Sequence, residues 1–234
     1  MTYDARGHII KLYNNYEMKI DHILAHRGIF SSVADPNSSD ALTLALNSGF
    51  GIETDLRDND GKVVVSHDPP RAGTKPLTLE WLLENVALSS TTSRIALNIK
   101  SDGLSSMVES AIKQTNIPMS RFFVFDMSIP DSLSYLNGTI PVYSRISDYE
   151  QIPAFKDKAK GIWIDNLDGT YPQVKIAKDL ISEGFRVTIV SPELHDRDHK
   201  IVWAEILDCK IYRSPLFELC TDFPREAQKQ FCLD

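Results

Sequence analysis

Cysteine is scarce in this chain: Cys209, Cys220 and Cys232 are the only three among 234 residues, and they fall late in the sequence without metal-type spacing. A disulfide framework is not expected, and reduced thiols in a cytoplasmic protein are the default reading. Long apolar runs are missing too. No stretch approaches the roughly 20 residues of a membrane span, and the opening MTYDARGHIIKLYNNYEMKI has no apolar core of signal-peptide length. Membrane insertion is therefore not expected. There is no internal repeat, low-complexity tract or long linker. Positive charge is in deficit, with 25 Lys and Arg against 32 Asp and Glu, a formal net charge of -7. That argues against a nucleic-acid surface, and a phosphate-bearing substrate must be attracted by specific groups rather than by a general field. Nothing in the sequence specifies an oligomeric state.

What remains is ordinary for a globular protein, with 42% hydrophobic and 24% charged residues. The length suits one large core, so a single domain over 1–234 is expected. Short β-branched runs alternate with helix-like segments. Strands are expected at 22–26, 51–57, 94–100, 121–126, 140–146, 161–165, 185–191 and 217–222. A further run, KVVVSH (62–67), follows the turn signal DNDG and extends the second strand as a hairpin. Helical periodicity marks ALTLALNSG, TLEWLLENV, GLSSMVESAIKQT, IPDSLSYLNG, YPQVKIAKDLISEG and DHKIVWAEIL. Ser39 or Asp40 suits the first N-cap, Gly49 the first stop and Thr78 the second N-cap. Eight strands alternating with helices give an α/β fold, a (β/α)8 TIM barrel, with an open doubly wound sheet as the alternative. No glycine-rich phosphate loop follows the first strand, which weighs against the dinucleotide-binding version of that sheet.

In such a barrel the strands' C-terminal ends carry the site, and the polar residues closing these strands would gather at one mouth. GIETDLRDNDGKVVVSHD places Glu53 and Asp55 on one face of the second strand, since alternation sends residues i and i+2 the same way. Two adjacent carboxylates belong on a wet face or around a cation. With the Asn98 carbonyl they offer three hard oxygens, suited to a divalent cation, Mg2+ or Ca2+. His26 and His67, on separate elements beside them, suit acid–base work on a phosphate ester. Arg27 and Lys100 can neutralise phosphoryl oxygens. Glu193 and His195, in VSPELHDRD, are candidates for contact with a sugar or polyol.

HILAHRG, PNSSDALTLALNSGFGIETDLRDNDGKVVVSHDP, IALNIK and LCTDFP together resemble the glycerophosphodiester phosphodiesterase family. More broadly they look like the phosphatidylinositol-phospholipase-C-like TIM-barrel phosphodiesterases, which include the sphingomyelinase D enzymes. The resemblance is dense over residues 22–69 and scattered after residue 100. It implies a phosphoric diester hydrolase with His26 and His67 as the acid–base pair, Glu53 and Asp55 as metal ligands, and Arg27 and Lys100 against the phosphate. Asn37 falls where the family has the Asn of its Pro-Glu-Asn-Thr segment and joins the possible substrate contacts. A small-molecule phosphodiester is the implied partner. A lyase releasing a cyclic phosphate and a catalytically weak binding module for phosphorylated polyols are the alternatives.

Two departures stand out. The family commonly has Glu where this chain has Asn98. Two carboxylates neutralise a divalent ion where three would overbalance it, so the metal should be held more weakly and an incoming phosphodiester repelled less. The segment between His67 and Thr78 is also shorter than is typical, which implies a more open mouth.

Overall fold

The computed structural model describes residues 2–3, 9–10, 17–30 and 34–232. Apart from a two-residue antiparallel pairing of Thr2–Tyr3 with Ile9–Ile10, the described strands form one sheet. The sheet contains β1 (Ile23–His26), β2 (Gly51–Asn59), β3 (Lys62–Val65), β4 (Ile95–Ile99) and β5 (Phe122–Phe125). It continues with β6 (Tyr143–Ile146), β7 (Gly161–Ile164), β8 (Arg186–Val190) and β9 (Phe217–Thr221). Eight strands run parallel in the order β5-β4-β2-β1-β9-β8-β7-β6, and β3 turns back antiparallel on β2. The ring nearly closes: a bridge between Val124 and Val142, with Val124 N donating to Pro141 O at 2.9 Å, joins its two ends. This is the expected TIM barrel with its hairpin.

Among the described residues seven α-helices cover the outside: α1 (Ser39–Asn47), α2 (Leu79–Leu88), α3 (Ser105–Lys113), α4 (Ile129–Leu136), α5 (Gln173–Ser182), α6 (Lys200–Cys209) and α7 (Pro224–Phe231). Side-chain caps start three of them. Ser38, Thr78 and Ser128 accept from the N–H groups of Ala41, Trp81 and Asp131. The first cap is thus Ser38 rather than Ser39 or Asp40, which lie inside the first turn. Between β6 and β7 the connection carries no helix. The helix α7 is additional to the six that periodicity marks. It is short and largely polar, and Ala227 and Phe231 supply its buried contacts.

Alternation along the strands splits the core in two. Side chains pointing outward pack beneath the helices, including Ile23, Ile52, Leu97, Val124, Ile162, Ile189 and Leu219. A separate inner cluster fills the barrel with Leu24, Ala96, Phe123, Phe125, Tyr143, Trp163, Val190 and Cys220. Phe125 stacks on Trp163 at 3.9 Å between centroids and Phe123 on Tyr143 at 4.0 Å. Gly161 makes room for this, because a Cβ there would lie 2.3 Å from the Tyr143 ring. Below the aromatics, Glu218 is buried between Arg94 and Arg186, at 3.3 and 3.4 Å, and accepts from Thr188 at 2.9 Å. The carboxylate is thereby paired, as a buried charge must be. The aromatic layer and this ion cluster fill the lower barrel.

Candidate active site

β1 ends in a tight bend. Arg27 takes φ 54° and Gly28 φ 91°. A Cβ on Gly28 would lie 2.5 Å from the backbone carbon of Ala41, so only glycine allows α1 to approach this closely. Backbone bonds fix the bend: Arg27 N donates to Glu53 O at 2.8 Å, Ile29 N to Ala41 O at 2.9 Å and Asn37 N to Arg27 O at 2.9 Å. His26 stands beside Glu53 in register, and Asp55 beside Asn98. These side chains share the inner face of three neighbouring strands.

Asp55, fully buried, is the electrostatic centre. Arg27 Nε lies 3.0 Å from Oδ2, off-axis for a hydrogen bond, so that contact is Coulombic. Lys100 Nζ lies 3.5 Å from Oδ1. Asn37 Nδ2 donates to Oδ2 at 2.8 Å, and Thr54 donates to Asn37 Oδ1 at 2.7 Å, which fixes the amide. Asn37 thus braces Asp55. Charge then alternates around the rim. Lys100 reaches Asp126 at 3.6 Å, Asp126 pairs with Arg145, and Arg145 donates to Glu150 at 2.5 Å. Burial raises the Asp126 carboxyl above its ordinary value, while Arg145 and Lys100 oppose the rise.

Three oxygens on this wall are sealed from solvent and make no hydrogen bond: Glu53 Oε2, Asp55 Oδ1 and Asn98 Oδ1. Unsatisfied buried acceptors are costly. Three of them on adjacent strands form a donor set that fits a hard divalent cation. Among the described residues no group of three or more His, Cys, Asp or Glu side chains could hold a metal, so the third donor would be the Asn98 amide. Burial, followed by the charge of Asp55, lifts Glu53 to about 7, against the pull of His26, Arg27 and Lys100.

His26 is held from both sides. Its Nδ1 donates to Asp222 Oδ1 at 2.7 Å, and its Nε2 faces Glu53 Oε2 at 3.9 Å. Burial alone would lower its pKa. The Asp222 hydrogen bond and the charges of Glu53 and Asp222 outweigh that, and the net shift is upward. His67 lies where the hairpin returns over β2: Ser66 N donates to Asp55 O at 3.0 Å, and the Arg57 guanidinium donates to His67 O at 3.1 Å. Its ring is more open, 45% exposed, and Nδ1 donates to Asp68 at 2.8 Å. No hydrogen bond or ion pair joins His67 to His26, Glu53 or Asp55 among the described residues.

Glu193 is occupied within the protein. Its carboxylate accepts from the Ser191 hydroxyl at 2.5 Å, from the Thr221 hydroxyl and from Asp222 N at 3.2 Å. It ties the loop after β8 to the end of β9. His195 instead meets Asp165 at 2.7 Å. Asp222, within LCTDFP, is the partner of His26, a role that nothing in its local sequence marks. The available signal was topological, since barrel closure sets the last strand beside the first.

No family model matches the chain, and no curated protein matches it in sequence. Solved structures do resemble it. A glycerophosphodiester phosphodiesterase from Parabacteroides distasonis is 20% identical with a TM-score of 0.66, covering 88% of this chain and 94% of that one. A glycerophosphodiester phosphodiesterase from Agrobacterium tumefaciens is 18% identical with a TM-score of 0.62, covering 86% and 96%. A Ca2+-dependent phosphatidylinositol-specific phospholipase C from Streptomyces antibioticus is 11% identical with a TM-score of 0.57, covering 87% and 94%. What this chain shares with them at such identities is the fold, over nearly the whole length of each.

Proposed function

We propose that the chain is a phosphodiesterase acting on a glycerophosphodiester-like or polyol phosphodiester, with a divalent cation, Mg2+ or Ca2+, at Glu53, Asp55 and Asn98. The observation that carries this reading is the trio of sealed oxygens that make no hydrogen bond, beside a histidine already fixed by a carboxylate. The fold shared with glycerophosphodiester phosphodiesterases supports it. When bound, the cation supplies Lewis-acid stabilisation of charge on the phosphoryl oxygens. Arg27 and Lys100, already beside Asp55, add positive charge on the same side.

The proton traffic falls to the histidines. One takes a proton from the attacking hydroxyl as its oxygen bonds to phosphorus; the other returns a proton to the departing alkoxide as that P–O bond breaks. Asp222 holds Nδ1 of His26, leaves Nε2 toward the site and favours the imidazolium, which suits His26 to the acid's part and His67 to the base's. Replacing either histidine with Ala should cut turnover of an alkyl glycerophosphodiester, whose alkoxide needs a proton to depart, by about 10²–10⁴-fold. Phosphorus NMR of the product from a hydroxyl-bearing substrate separates hydrolysis from release of a cyclic phosphate. Equal background from the wild type and both variants would favour a binding module.

A further inference from the structure

At the foot of the barrel a cavity of about 510 Å3 opens between α2 and α3. Small-molecule sites commonly have a volume of this size. Its one cation is Arg121, which closes the turn Met119–Arg121 just before β5. Ser93, which Arg121 contacts, stands just before β4. Both therefore lie at the strands' N-terminal ends, away from the mouth that holds His26, Glu53 and Asp55. α2 lines the cavity with Glu80, Leu83, Glu84 and Ala87. These are positions i, i+3, i+4 and i+7, a single stripe of the helix. Ala111 of α3 and Ile117 add further apolar wall.

Arg121 is a charge without a counter-charge. Its Nε donates to Ser93 O at 3.1 Å, which leaves both terminal nitrogens without a partner among the described residues. Nη2 is sealed from solvent, whereas Nη1 is open. Burial lowers the pKa of the group, and no neighbouring carboxylate offsets the shift. A half-buried, unpaired guanidinium is costly, and a bound anion relieves that cost through charge-assisted hydrogen bonds. Glu80 and Glu84 are exposed, lie one helical turn apart and make no ion pair among the described residues. They stand beyond ion-pair reach of Arg121, so the cavity keeps its positive and negative charges separate. A simple anion gains Arg121 but is repelled by the two glutamates, and a simple cation meets the reverse. We infer that this cavity binds a small zwitterion with an apolar middle. Its anionic end lies on Nη1 of Arg121, its cationic end on Glu80 and Glu84, and its methylene chain against Leu83, Ala87 and Ile117. None of these residues takes part in the chemistry proposed at the mouth.

Three probes of one chain length test the site: 6-aminohexanoate, hexanoate and hexylamine, each titrated into the 15N-labelled protein and followed by amide chemical shifts. 6-Aminohexanoate should bind with a Kd of about a millimolar, moving the signals of α2 and of residues 114–121. Hexanoate and hexylamine should each bind about tenfold more weakly or worse. Arg121→Gln should weaken 6-aminohexanoate about tenfold and leave hexylamine within about twofold. Glu80→Gln combined with Glu84→Gln should also weaken 6-aminohexanoate about tenfold, while hexanoate binds as well as before or better. The two glutamates are exposed helix positions whose substitution leaves the fold intact, so this pair decides the matter even where Arg121→Gln fails to fold. Absence of saturable shifts up to about 50 mM overturns the site. So do shifts confined to the barrel mouth, equal affinity for the three probes, or an affinity for 6-aminohexanoate unchanged by the glutamate pair.

Discussion

His26 and Asp222, 196 positions apart in sequence, meet at 2.7 Å because barrel closure sets the end of β9 against the end of β1. The carboxylate fixes which ring nitrogen carries the proton and directs the other toward Glu53. Asp222→Asn should leave the fold intact and lower kcat by about 10–100-fold. The Asp222 bond and charge raise the His26 pKa, so their loss should shift that group's limb of the pH–rate profile to lower pH. An unmoved profile would show that Asp222 does not act through His26.

Glu53 gives a linkage prediction. In cation-free protein its folded-state value, about 7, lies above its ordinary 4.5. The stability it contributes is therefore fully present below about pH 4.5 and is lost as pH rises through about 7. The loss is on the order of 1–3 kcal/mol. Melting in chelator across pH 4 to 8, wild type against Glu53→Gln, reads it, and the variant should lose this slope. Cation binding must displace the same proton, so calorimetry in buffers of different ionisation enthalpy should show proton release that fades above about pH 7.

Asn98→Glu adds a carboxylate beside Asp55 where the amide oxygen makes no hydrogen bond. The added charge should tighten cation binding by roughly tenfold, with activity retained. Loss of the cooperative melt would instead make Asn98 a structural member of the barrel interior.

Gly28→Ala tests the bend that presents Arg27. The residue sits at φ 91° with Ala41 backbone 2.5 Å from where the methyl group would go. The substitution should cost about 2–4 kcal/mol, read from chemical denaturation. Stability unchanged within error would show that the bend relaxes freely.

Much of this molecule was legible because strands buried on both faces read as short, near-continuous apolar or β-branched runs between turn signals. GIWI and FELCT read as strands without ambiguity, and DNDG announced the hairpin. The helix α7 escaped because PREAQKQF offers only Ala227 and Phe231 as buried apolar contacts after its N-terminal Pro224. The site was legible one element at a time. Glu53 and Asp55 share a strand face by simple alternation, and sequence alone places them together. The pairings His26 with Asp222, Arg145 with Asp126, and His195 with Asp165 join different strands. They depend on ring order and loop conformation, including the left-handed Asp126 at φ 72°, which no local pattern encodes. Glu193 shows the converse: its place at the mouth suggested a ligand contact, but its carboxylate binds Ser191, Thr221 and Asp222 N.

The most direct measurement is turnover of bis(p-nitrophenyl) phosphate by protein stripped of divalent ions and then titrated with Mg2+ or Ca2+. With Glu53, Asp55 and Asn98 as the cation's seat, activity should vanish on prolonged chelation and return on titration, and Glu53→Gln should weaken the return. Full turnover that survives chelation in the wild type would contradict the account.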